Sequence, residues 1–432
     1  MDRRRGGRSQ SRFDHRPERE EELMSAKEAA TLLRVKRATL YTYVSRGLVR
    51  CVPVQGTKEN RYARADVERL KTRHDARAGH AAVAAGALRW GEPVIDSAVS
   101  RVEPQGLAYR GRHSAVVLAT EGRSFEDVAE LLWSGTLPEP PGTKWRAPRA
   151  PFPPSTLAKL LPKGAPPAKV LATLVTLLAT RDAVRFALPP EQELERARAL
   201  LRHLAAWVCV PRAPERVTRA LRARTVSASL AVAWDVASPR AQAMLDRALV
   251  LCADHELNVS TFAARVTASS GSDLYACVGA GMAALSGTQH GGACDRVEAL
   301  LTEVGAPERA REVVSERLRT GALVPGFGHR LYPAGDPRTP CLIQAARELK
   351  PDAPGVRVAS AVLEVMRKAG HPAPSMEVGL VMLSKALGLP VGAASAVFAV
   401  GRAAGWVAHI LEQRDQGHLL RPRARYVGPP TS

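Results

Sequence analysis

A glycine-flanked histidine stands at the centre of the stretch Leu285-Ser286-Gly287-Thr288-Gln289-His290-Gly291-Gly292-Ala293. A run of small residues with helical composition, 276–284, precedes it, and an amphipathic segment, 294–304, follows it. In the second segment the apolar residues recur at helical spacing, which indicates a helix. His290 is therefore predicted to lie on a short loop between two helices. The neighbouring glycines let a ligand approach the imidazole and the backbone N–H groups closely.

Three further segments place polar side chains at predicted loops or helix ends. The first, Asp254-His255-Glu256-Leu257-Asn258, precedes the histidine stretch. The second comprises Pro325-Gly326-Phe327-Gly328-His329-Arg330 and then Asp336-Pro337-Arg338. The third is the apolar run 398–409, which carries Arg402. Because loops and helix ends are where scaffolds present functional side chains, we expect these segments to meet at one site.

The residue types in these segments favour an anion over a metal. None of the histidines His255, His290 and His329 is paired with another at the i, i+4 spacing of a helical metal site, and nearby arginines would repel a cation. Arginine forks, here those of Arg338 and Arg402, bind carboxylates with two parallel hydrogen bonds. The set is therefore typical of a site for a dicarboxylate that also presents a carbonyl group to be polarised.

In order and spacing these segments resemble the citrate synthase family, over roughly residues 88–429. The resemblance implies an all-α citrate synthase fold, in which a large helical domain carries a smaller mobile helical domain. It also implies an acyltransferase that condenses acetyl-CoA with oxaloacetate to citrate and CoA. Such an enzyme is a homodimer with shared active sites. It needs no cofactor, since the CoA thioester is itself a substrate.

The resemblance assigns three catalytic roles. His290 matches the histidine that holds the enol oxygen of the acetyl thioester. His329 matches the histidine that hydrogen-bonds the oxaloacetate carbonyl and donates a proton as carbon attacks. The base position, set by its distance from Gly388-Leu389-Pro390, is occupied by Glu377 where the family has an aspartate. Glutamate has a similar pKa but one more methylene, so the base reaches further from the backbone.

The resemblance also assigns substrate-binding residues. The oxaloacetate ligands are His255, Arg338, Arg402 and, reaching across the dimer, Arg421. In the loop 324–328, which resembles the segment that reads the CoA adenine through its backbone, the matching residues are Val324, Gly326 and Gly328. Two departures accompany these matches. Pro333 stands where many relatives carry a lysine, so Arg367 or Lys368 would have to supply the lost phosphate contact, and Cys252 stands where many relatives have a histidine.

The N-terminal part shows a different pattern. Ser25-Ala26-Lys27-Glu28 is a capping box, with a serine cap and a glutamate three residues later. Two short helices, a strand near 49–54, a return strand at Arg61-Tyr62 and a third helix from Asp66 are predicted to follow it. This arrangement resembles a winged helix-turn-helix of the MerR or excisionase type, in which the second helix enters the major groove.

Two interpretations of this domain stay open: it binds DNA, or it is a helical module that packs on the enzyme and binds none. For DNA binding, the candidate groove residues lie on the second helix, and basic residues at 46, 50, 58 and 61 are candidate phosphate contacts. The candidates are Lys36, Arg37, Thr39, Tyr41, Thr42 and Arg61. The formal net charge of +20 fits a nucleic-acid or anionic partner, but it also fits a general arginine bias, because the arginines are spread along the whole chain.

Composition restricts the remaining classes. Hydrophobic residues make up 45% and aromatic residues only 5%, so alanine, leucine and valine must fill the core, which favours helices over a β-sandwich. The longest apolar runs, such as 170–179, are too short for the roughly 20 residues of a membrane span, and we expect neither a membrane partner nor a signal peptide. The six scattered cysteines have no metal-ligand spacing, which indicates reduced thiols, no metal site and a cytoplasmic location.

The predicted organisation therefore has six parts. They are a disordered basic tail (1–21), a winged helix-turn-helix domain (22–74), a linker (75–87), a large domain (88–291), a small domain (292–385) and a return to the large domain with a C-terminal segment (386–432). Two functional alternatives remain beside citrate synthase. One is a 2-methylcitrate synthase that uses propionyl-CoA. The other is a metabolite-responsive DNA-binding regulator with weak activity, which the glutamate at position 377 would favour.

Overall fold

The computed structural model describes residues 23–33, 35–53, 60–77, 95–186, 189–424 and 428. The chain separates into two compact units, 1–96 and 97–432. The predicted tail at 1–21 lies outside the described residues, as does most of the predicted linker. Contacts within the second unit do not divide it further, so the boundary between a large and a small domain stays a prediction.

The N-terminal unit is a small α/β domain. In chain order its elements are β1 (Leu23–Ser25), α1 (Ala26–Leu33), α2 (Arg37–Ser45), β2 (Cys51–Pro53), β3 (Asn60–Ala63) and α3 (Arg64–Arg77). The strands form one antiparallel sheet in the order β1-β3-β2. The predicted capping box is present, since the Ser25 N–H donates to Glu28 Oε2 at 2.8 Å and the Glu28 N–H donates to Ser25 Oγ at 3.2 Å. Strand β1 was not predicted, because three residues carry too little pattern.

The larger unit opens with a three-stranded antiparallel sheet, β4 (Ser100–Glu103), β5 (Gly106–Tyr109) and β6 (His113–Ser114). The rest of the described unit is helical, which confirms the predicted all-α body. The helices are α4 (Ala115–Thr120), α5 (Phe125–Ser134), α6 (Pro154–Leu160), α7 (Pro167–Arg181), α8 (Pro190–Trp207), α9 (Arg216–Arg222), α10 (Val226–Ala233), α11 (Pro239–Cys252), α12 (Val259–Ser269), α13 (Leu274–Leu285), α14 (Gly292–Val304), α15 (Ala310–Arg319), α16 (Arg338–Leu349), α17 (Pro354–Lys368), α18 (Met376–Leu387) and α19 (Ala393–Gln416).

Helix α19 is the centre of this unit. It is 24 residues long, and among the described helices it is the one apolar enough to span a membrane by length and composition. However, 94% of its apolar window is buried inside the protein, so it is a core helix. Its burial explains why the sequence alternates small and large apolar residues there: alanines and glycines let neighbouring helices approach, while Trp406 fills the space between them.

The last two helices are joined by a short segment that α14 holds in place. Helix α18 ends at Gly388, which adopts a left-handed conformation, and α19 begins after Gly392, which does so too. The buried Glu298 of α14 forms an ion pair with Lys385 on α18 and accepts the Gly392 N–H at 2.9 Å. One carboxylate therefore contacts both sides of the joint between α18, which carries Glu377, and α19, which carries Arg402.

Candidate active site

His290 lies on the loop between α13 and α14, as predicted, and its ring is fixed from one side. Its Nε2 is 2.9 Å from the hydroxyl of Ser260. The same hydroxyl accepts the Trp406 indole N–H at 3.2 Å and donates its own proton to Asn258 Oδ1 at 2.7 Å. Three hydrogen-bonding groups from α12 and α19 therefore orient one imidazole.

The local sequence explains this arrangement. Asn258 is the N-cap of α12, and its Oδ1 accepts the backbone N–H groups of Ser260 and Thr261, each at 3.1 Å. An asparagine cap satisfies the otherwise unpaired N–H groups of the first turn. Because the cap fixes the first turn, the Ser260 hydroxyl is held at the position where His290 contacts it.

Two more histidines form a cluster with a tyrosine. The ring centroids of His255 and His329 are 5.7 Å apart, and Tyr332 lies 5.7 Å from His255 and 5.0 Å from His329. The Tyr332 hydroxyl is 3.2 Å from His255 Nε2. The Nδ1 of His329 accepts the Leu331 N–H at 3.2 Å, which places the imidazole proton of neutral His329 on Nε2.

Arg402 reaches this cluster from α19. Its side chain is only 2% exposed, its Nε donates to the Cys252 carbonyl at 2.9 Å, and its guanidinium lies 4.7 Å from the centroid of the Phe398 ring. None of the residues that the structure describes accepts a hydrogen bond from its two terminal nitrogens. A buried guanidinium with four unused N–H groups is suited to a carboxylate ligand.

Arg338 is held differently. It is 3% exposed, and its Nε and a terminal nitrogen donate to the two oxygens of Asp336 at 3.0 and 2.6 Å, while the other terminal nitrogen donates to the Leu251 carbonyl at 3.3 Å. Three of its five donors are thus occupied. The Asp336 carboxylate more than offsets burial and raises the pKa of Arg338 above its usual value, so the guanidinium stays charged. Two donors remain for a ligand.

Glu377 is half-buried in the first turn of α18, and among the described residues it has no ion-pair or hydrogen-bonding partner. The loop predicted to read CoA is fastened directly in front of this helix. The Ser375 N–H donates to the Gly326 carbonyl at 2.8 Å, and the Gly328 N–H donates to the Ala373 carbonyl at 2.9 Å. Gly326 has φ +86°, and a Cβ there would lie 2.4 Å from a Val378 methyl, so only glycine fits.

Burial makes all three histidines weak bases. It lowers the pKa of His290 to about 4, with a further contribution from the charge of Arg402. Burial, Arg338 and Arg402 hold the pKa of His255 well below its usual range. Burial also lowers the pKa of His329, although the Asp336 and Glu377 carboxylates oppose the shift. The three imidazoles are therefore neutral at pH 7 and can each donate one hydrogen bond.

These lowered pKa values predict how stability depends on pH. The unfolded chain takes up protons on its histidines below about pH 6.5, whereas the folded chain does not until a much lower pH. The contribution of these histidines to stability is therefore fully present above that pH and is lost as the pH falls towards about 4. We expect the thermal unfolding midpoint to decrease from pH 7 to pH 5 at constant ionic strength. The His290→Gln variant should lose less over the same interval, and an equal loss in both proteins would contradict this assignment.

The structure brings most of the predicted site residues together. The electrostatic contacts connect Arg402 with His255 and His290, Arg338 with His255 and His329, and Glu377 with His329. Val324 is buried at the start of the Gly326 loop. Two predicted residues lie elsewhere within this chain. Arg421 is exposed beyond α19, and Arg367 lies on the exposed face of α17, where its Nε and a terminal nitrogen donate to Glu364 at 2.9 and 2.8 Å.

Most of the candidate DNA contacts are exposed to solvent on the N-terminal unit. Lys36, Arg37, Tyr41, Thr42 and Arg61 are exposed, and Thr39 is half-buried. Arg50, a candidate phosphate contact, donates through Nε to Asp66 at 2.8 Å, which reduces its availability. Residue 58 lies outside the described residues.

Sequence reasoning missed four residues that support the site: Ser260, Trp406, Tyr332 and Asp336. A signal was available for two of them. Trp406 follows Arg402 by four residues on a helix, which places both on one face, and Asp336 precedes Arg338 by two residues at a predicted helix start. The contacts of Ser260 and Tyr332 join segments that are distant in sequence, so no local pattern reports them.

Comparison with known proteins bears on both units. A family model described as "Citrate synthase, C-terminal domain" matches residues 87–423, and one described as "Helix-turn-helix domain" matches residues 23–75. Citrate synthase 2 of Bacillus subtilis is 30% identical over 351 residues, which cover 77% of this chain and 93% of that protein. The 2-methylcitrate synthase 2 of Corynebacterium glutamicum is 32% identical over 359 residues, which cover 77% and 92%.

Solved structures agree with these sequence relatives. The citrate synthase from Thermotoga maritima is 28% identical and matches with a TM-score of 0.66 over 79% of this chain and 95% of that one. The citrate synthase from Thermoplasma acidophilum, solved as a ternary complex with carboxymethyl coenzyme A and oxaloacetate, matches with a TM-score of 0.68 over 79% and 95% of the two chains. At 24% sequence identity, this match shows a shared fold alone.

Proposed function

The chain belongs to the citrate synthase family, and we propose that it condenses acetyl-CoA with oxaloacetate to give citrate and free CoA. One observation carries the proposal: two buried arginines, three neutral histidines and one unpaired carboxylate occupy a single site. Arginines supply charge and paired donors for a dicarboxylate, and neutral imidazoles supply single donors for carbonyl oxygens.

Oxaloacetate binding is assigned to His255, Arg338 and Arg402. The free N–H groups of Arg402 would bind one carboxylate. Arg338 would offer its two remaining N–H donors, and its positive charge would help to balance the two negative charges of oxaloacetate. His329 would donate its Nε2 proton to the keto oxygen, since its Nδ1 is already occupied by the Leu331 N–H. Donation polarises the carbonyl and makes its carbon the electrophile.

The acyl thioester is assigned to His290 and Glu377. Glu377 would remove a proton from the methyl carbon, while His290 donates a hydrogen bond to the thioester oxygen on which charge develops. This role needs the imidazole proton on Nδ1, so that Nε2 accepts from Ser260. In the structure the Ser260 hydroxyl donates to Asn258 Oδ1 at 2.7 Å, so the role requires its proton to turn to His290 Nε2. Asn258 Oδ1 then still accepts the backbone N–H groups of Ser260 and Thr261. Carbon–carbon bond formation and hydrolysis of the thioester by water then release CoA.

A second chain and a nucleotide-binding loop would complete the site. Arg421 is exposed in a segment that follows α19, so we propose that it reaches the substrate of the partner subunit in a cytoplasmic homodimer. The backbone of residues 324–328 would hold the CoA adenine. Arg367 would have to release Glu364 to contact a CoA phosphate, and surface ion pairs of this kind cost only about 0–1 kcal/mol to break.

The length of the base gives a direct test of this assignment. We expect Glu377→Asp to lower kcat for citrate formation about 10- to 100-fold, because the carboxylate retreats by one methylene and a misplacement of about 1 Å costs roughly 10²-fold. The measurement is thiol release from acetyl-CoA with oxaloacetate. A faster aspartate variant would show that the natural protein is a slow enzyme, and no CoA release from either protein would refute the enzyme assignment.

The acyl group itself is the finer question. One relative carries the name 2-methylcitrate synthase, so propionyl-CoA is the alternative substrate for this chain. A methylene in a pocket is worth only about 1–3 kcal/mol, which corresponds to roughly 10- to 200-fold in kcat/KM. The same thiol assay with both thioesters decides between them, and a higher kcat/KM for propionyl-CoA would replace acetyl-CoA in the proposal.

The N-terminal unit favours a second function. Helix α2 exposes Arg37, Tyr41 and Thr42 beside an antiparallel wing, in the arrangement that helix-turn-helix proteins use to enter a major groove. We infer that this unit binds DNA and that the chain is a DNA-binding protein with a synthase body able to bind oxaloacetate or CoA.

Gel-shift measurements test the DNA function. We expect the full chain to shift a fragment from its own promoter region at a stated salt concentration, and Arg37→Ala to abolish the shift. Removing the first 21 residues should leave it intact, because the contacts belong to α2. Binding that survives Arg37→Ala but disappears with the tail would assign the affinity to non-specific charge.

A further inference from the structure

One face of α19 contacts the three residues that immediately precede His255 in the chain. Arg402 Nε donates to the Cys252 carbonyl at 2.9 Å, and the Gly405 N–H donates to the Ala253 carbonyl at 2.9 Å. His409 Nε2 then lies 3.4 Å from Asp254 Oδ2. The residues on α19 are spaced i, i+3 and i+7, so they share one face of the helix. The segment before His255 is therefore held at consecutive points by the helix that carries Arg402.

His409 occupies a position that fixes its tautomer. It is fully buried, and its Nδ1 lies 3.1 Å from a terminal nitrogen of Arg265, which is also fully buried. An arginine nitrogen can only donate, so Nδ1 accepts and the imidazole proton is on Nε2. That proton points to Asp254. His409 therefore lies between a buried guanidinium and a buried carboxylate and contacts both through one ring.

Arg265 is itself held in several directions. Its Nε donates to Gln413 Oε1 at 3.0 Å, and its terminal nitrogens donate to Glu412 and, at 2.8 Å, to Gln416 Oε1. All three acceptors lie on the last turns of α19. The end of α19 thus forms a fixed support behind His409, on the side away from the substrate site.

Asp254 receives this support and transmits it to the neighbouring backbone. Its Oδ2 accepts the Ser100 hydroxyl and, at 3.2 Å, the Glu256 N–H on the far side of His255. Gly405 lets the carboxylate lie directly on α19, since a Cβ there would come 2.3 Å from Asp254 Oδ1. His255 is therefore enclosed between two backbone positions, 254 and 256, that are both fixed through one carboxylate.

We propose that His409 and Asp254 are positioning residues for oxaloacetate, which hold His255 and Arg402 in register without touching the substrate. The proposal rests on the proposed function, because it concerns the keto-acid half of that site. It predicts a selective effect. The residues assigned to the acyl-CoA, which are His290, Glu377 and the loop 324–328, lie on other segments. Loss of this contact should therefore weaken oxaloacetate binding and leave acyl-CoA binding nearly unchanged.

The test uses the full chain and four variants. His409→Leu removes both ring nitrogens, and His409→Gln restores one acceptor and one donor. Asp254→Asn keeps the shape of the side chain and removes its charge. Gln416→Leu is the matched control, because it removes a contact to Arg265 on the side away from Asp254. For each protein we would measure the oxaloacetate Kd by calorimetry, the KM for each substrate, kcat and the thermal unfolding midpoint.

We expect His409→Leu to raise the oxaloacetate Kd and KM roughly 10- to 100-fold, the scale on which displacements of about 1 Å act. His409→Gln should recover most of the loss, Asp254→Asn should raise the Kd by a smaller factor, and Gln416→Leu should match the wild type in Kd. If His409→Leu fails to fold, Asp254→Asn gives the decision, because an isosteric change that leaves the oxaloacetate Kd unaltered overturns the proposal.

Two other outcomes would also overturn it. One is an equal rise in the KM values of both substrates, and the other is a loss of thermal stability in His409→Leu with an unchanged oxaloacetate Kd. Failure of the proposed function has a different signature, namely a wild-type chain that binds oxaloacetate without releasing CoA. The comparison of Kd values would remain decisive for His409 and Asp254 in that case.

Discussion

Replacing Glu377 with glutamine is expected to lower kcat about 10²- to 10⁴-fold, the usual range for loss of a general base. The amide has nearly the same shape as the carboxylate but cannot take a proton from the thioester's methyl carbon. Glu377 forms no hydrogen bond or ion pair with a described residue, so its loss should leave folding nearly unchanged. Steady-state CoA release, measured with a variant of confirmed thermal stability, gives the result.

The control for this experiment is substrate binding. Oxaloacetate is assigned to His255, Arg338 and Arg402, so its Kd for the Glu377→Gln variant should equal that of the wild type. A variant that keeps more than about a tenth of the wild-type kcat would show that another group removes the proton. The Asp336 carboxylate beside the cluster is otherwise engaged, since it pairs with Arg338.

Replacing Arg402 with methionine should have the second large effect. Truncating one partner of a buried, hydrogen-bonded charge pair costs about 2–5 kcal/mol of binding, which at about 1.4 kcal/mol per tenfold corresponds to roughly 30- to 4,000-fold in the oxaloacetate KM. Methionine keeps an unbranched chain of similar length beside Phe398 and removes all five donors. The KM for acyl-CoA should change much less.

The same substitution is expected to raise the thermal unfolding midpoint. Burial lowers the pKa of Arg402, because the charged guanidinium is withdrawn from water and one carbonyl alone accepts a described hydrogen bond from it. A buried charge held ready for a ligand destabilises the unliganded protein. Arg402→Lys is the matched control, since it keeps the charge without the planar fork. A lower midpoint for Arg402→Met would mean that this arginine has a structural role.

The sequence pattern was sufficient to predict most of the helical architecture. Helical composition and spacing predicted the helices on both sides of His290 to within about two residues, since segments 276–284 and 294–304 correspond to Leu274–Leu285 and Gly292–Val304. The loop position of His290 followed from the glycines around it. Short strands such as β1 were missed, since three residues that pair with a distant segment carry little local information.

The sequence predicted which residues form the candidate site, but not which hydrogen bonds they make. The sequence identified His255, His290, His329, Arg338 and Arg402, and the structure places these five in one cluster. It did not predict that Arg338 uses three donors within the chain while Arg402 uses one, because that difference depends on how Asp336 and Leu251 fold against it. Residues such as Ser260 and Tyr332 act through tertiary contacts, which no spacing rule reports.

The loop 324–328 and the strand-like segment 373–375 are joined by two backbone hydrogen bonds immediately before Glu377. If the backbone of this loop holds the CoA adenine, as proposed, these two hydrogen bonds fix the position of the nucleotide relative to the start of α18 and its Glu377. Selectivity among thioesters then has to arise at the far end of the acyl chain. To accept a bulkier acyl-CoA, one would therefore change the residues that contact the terminal carbon of the acyl group and leave the loop 324–328 unchanged.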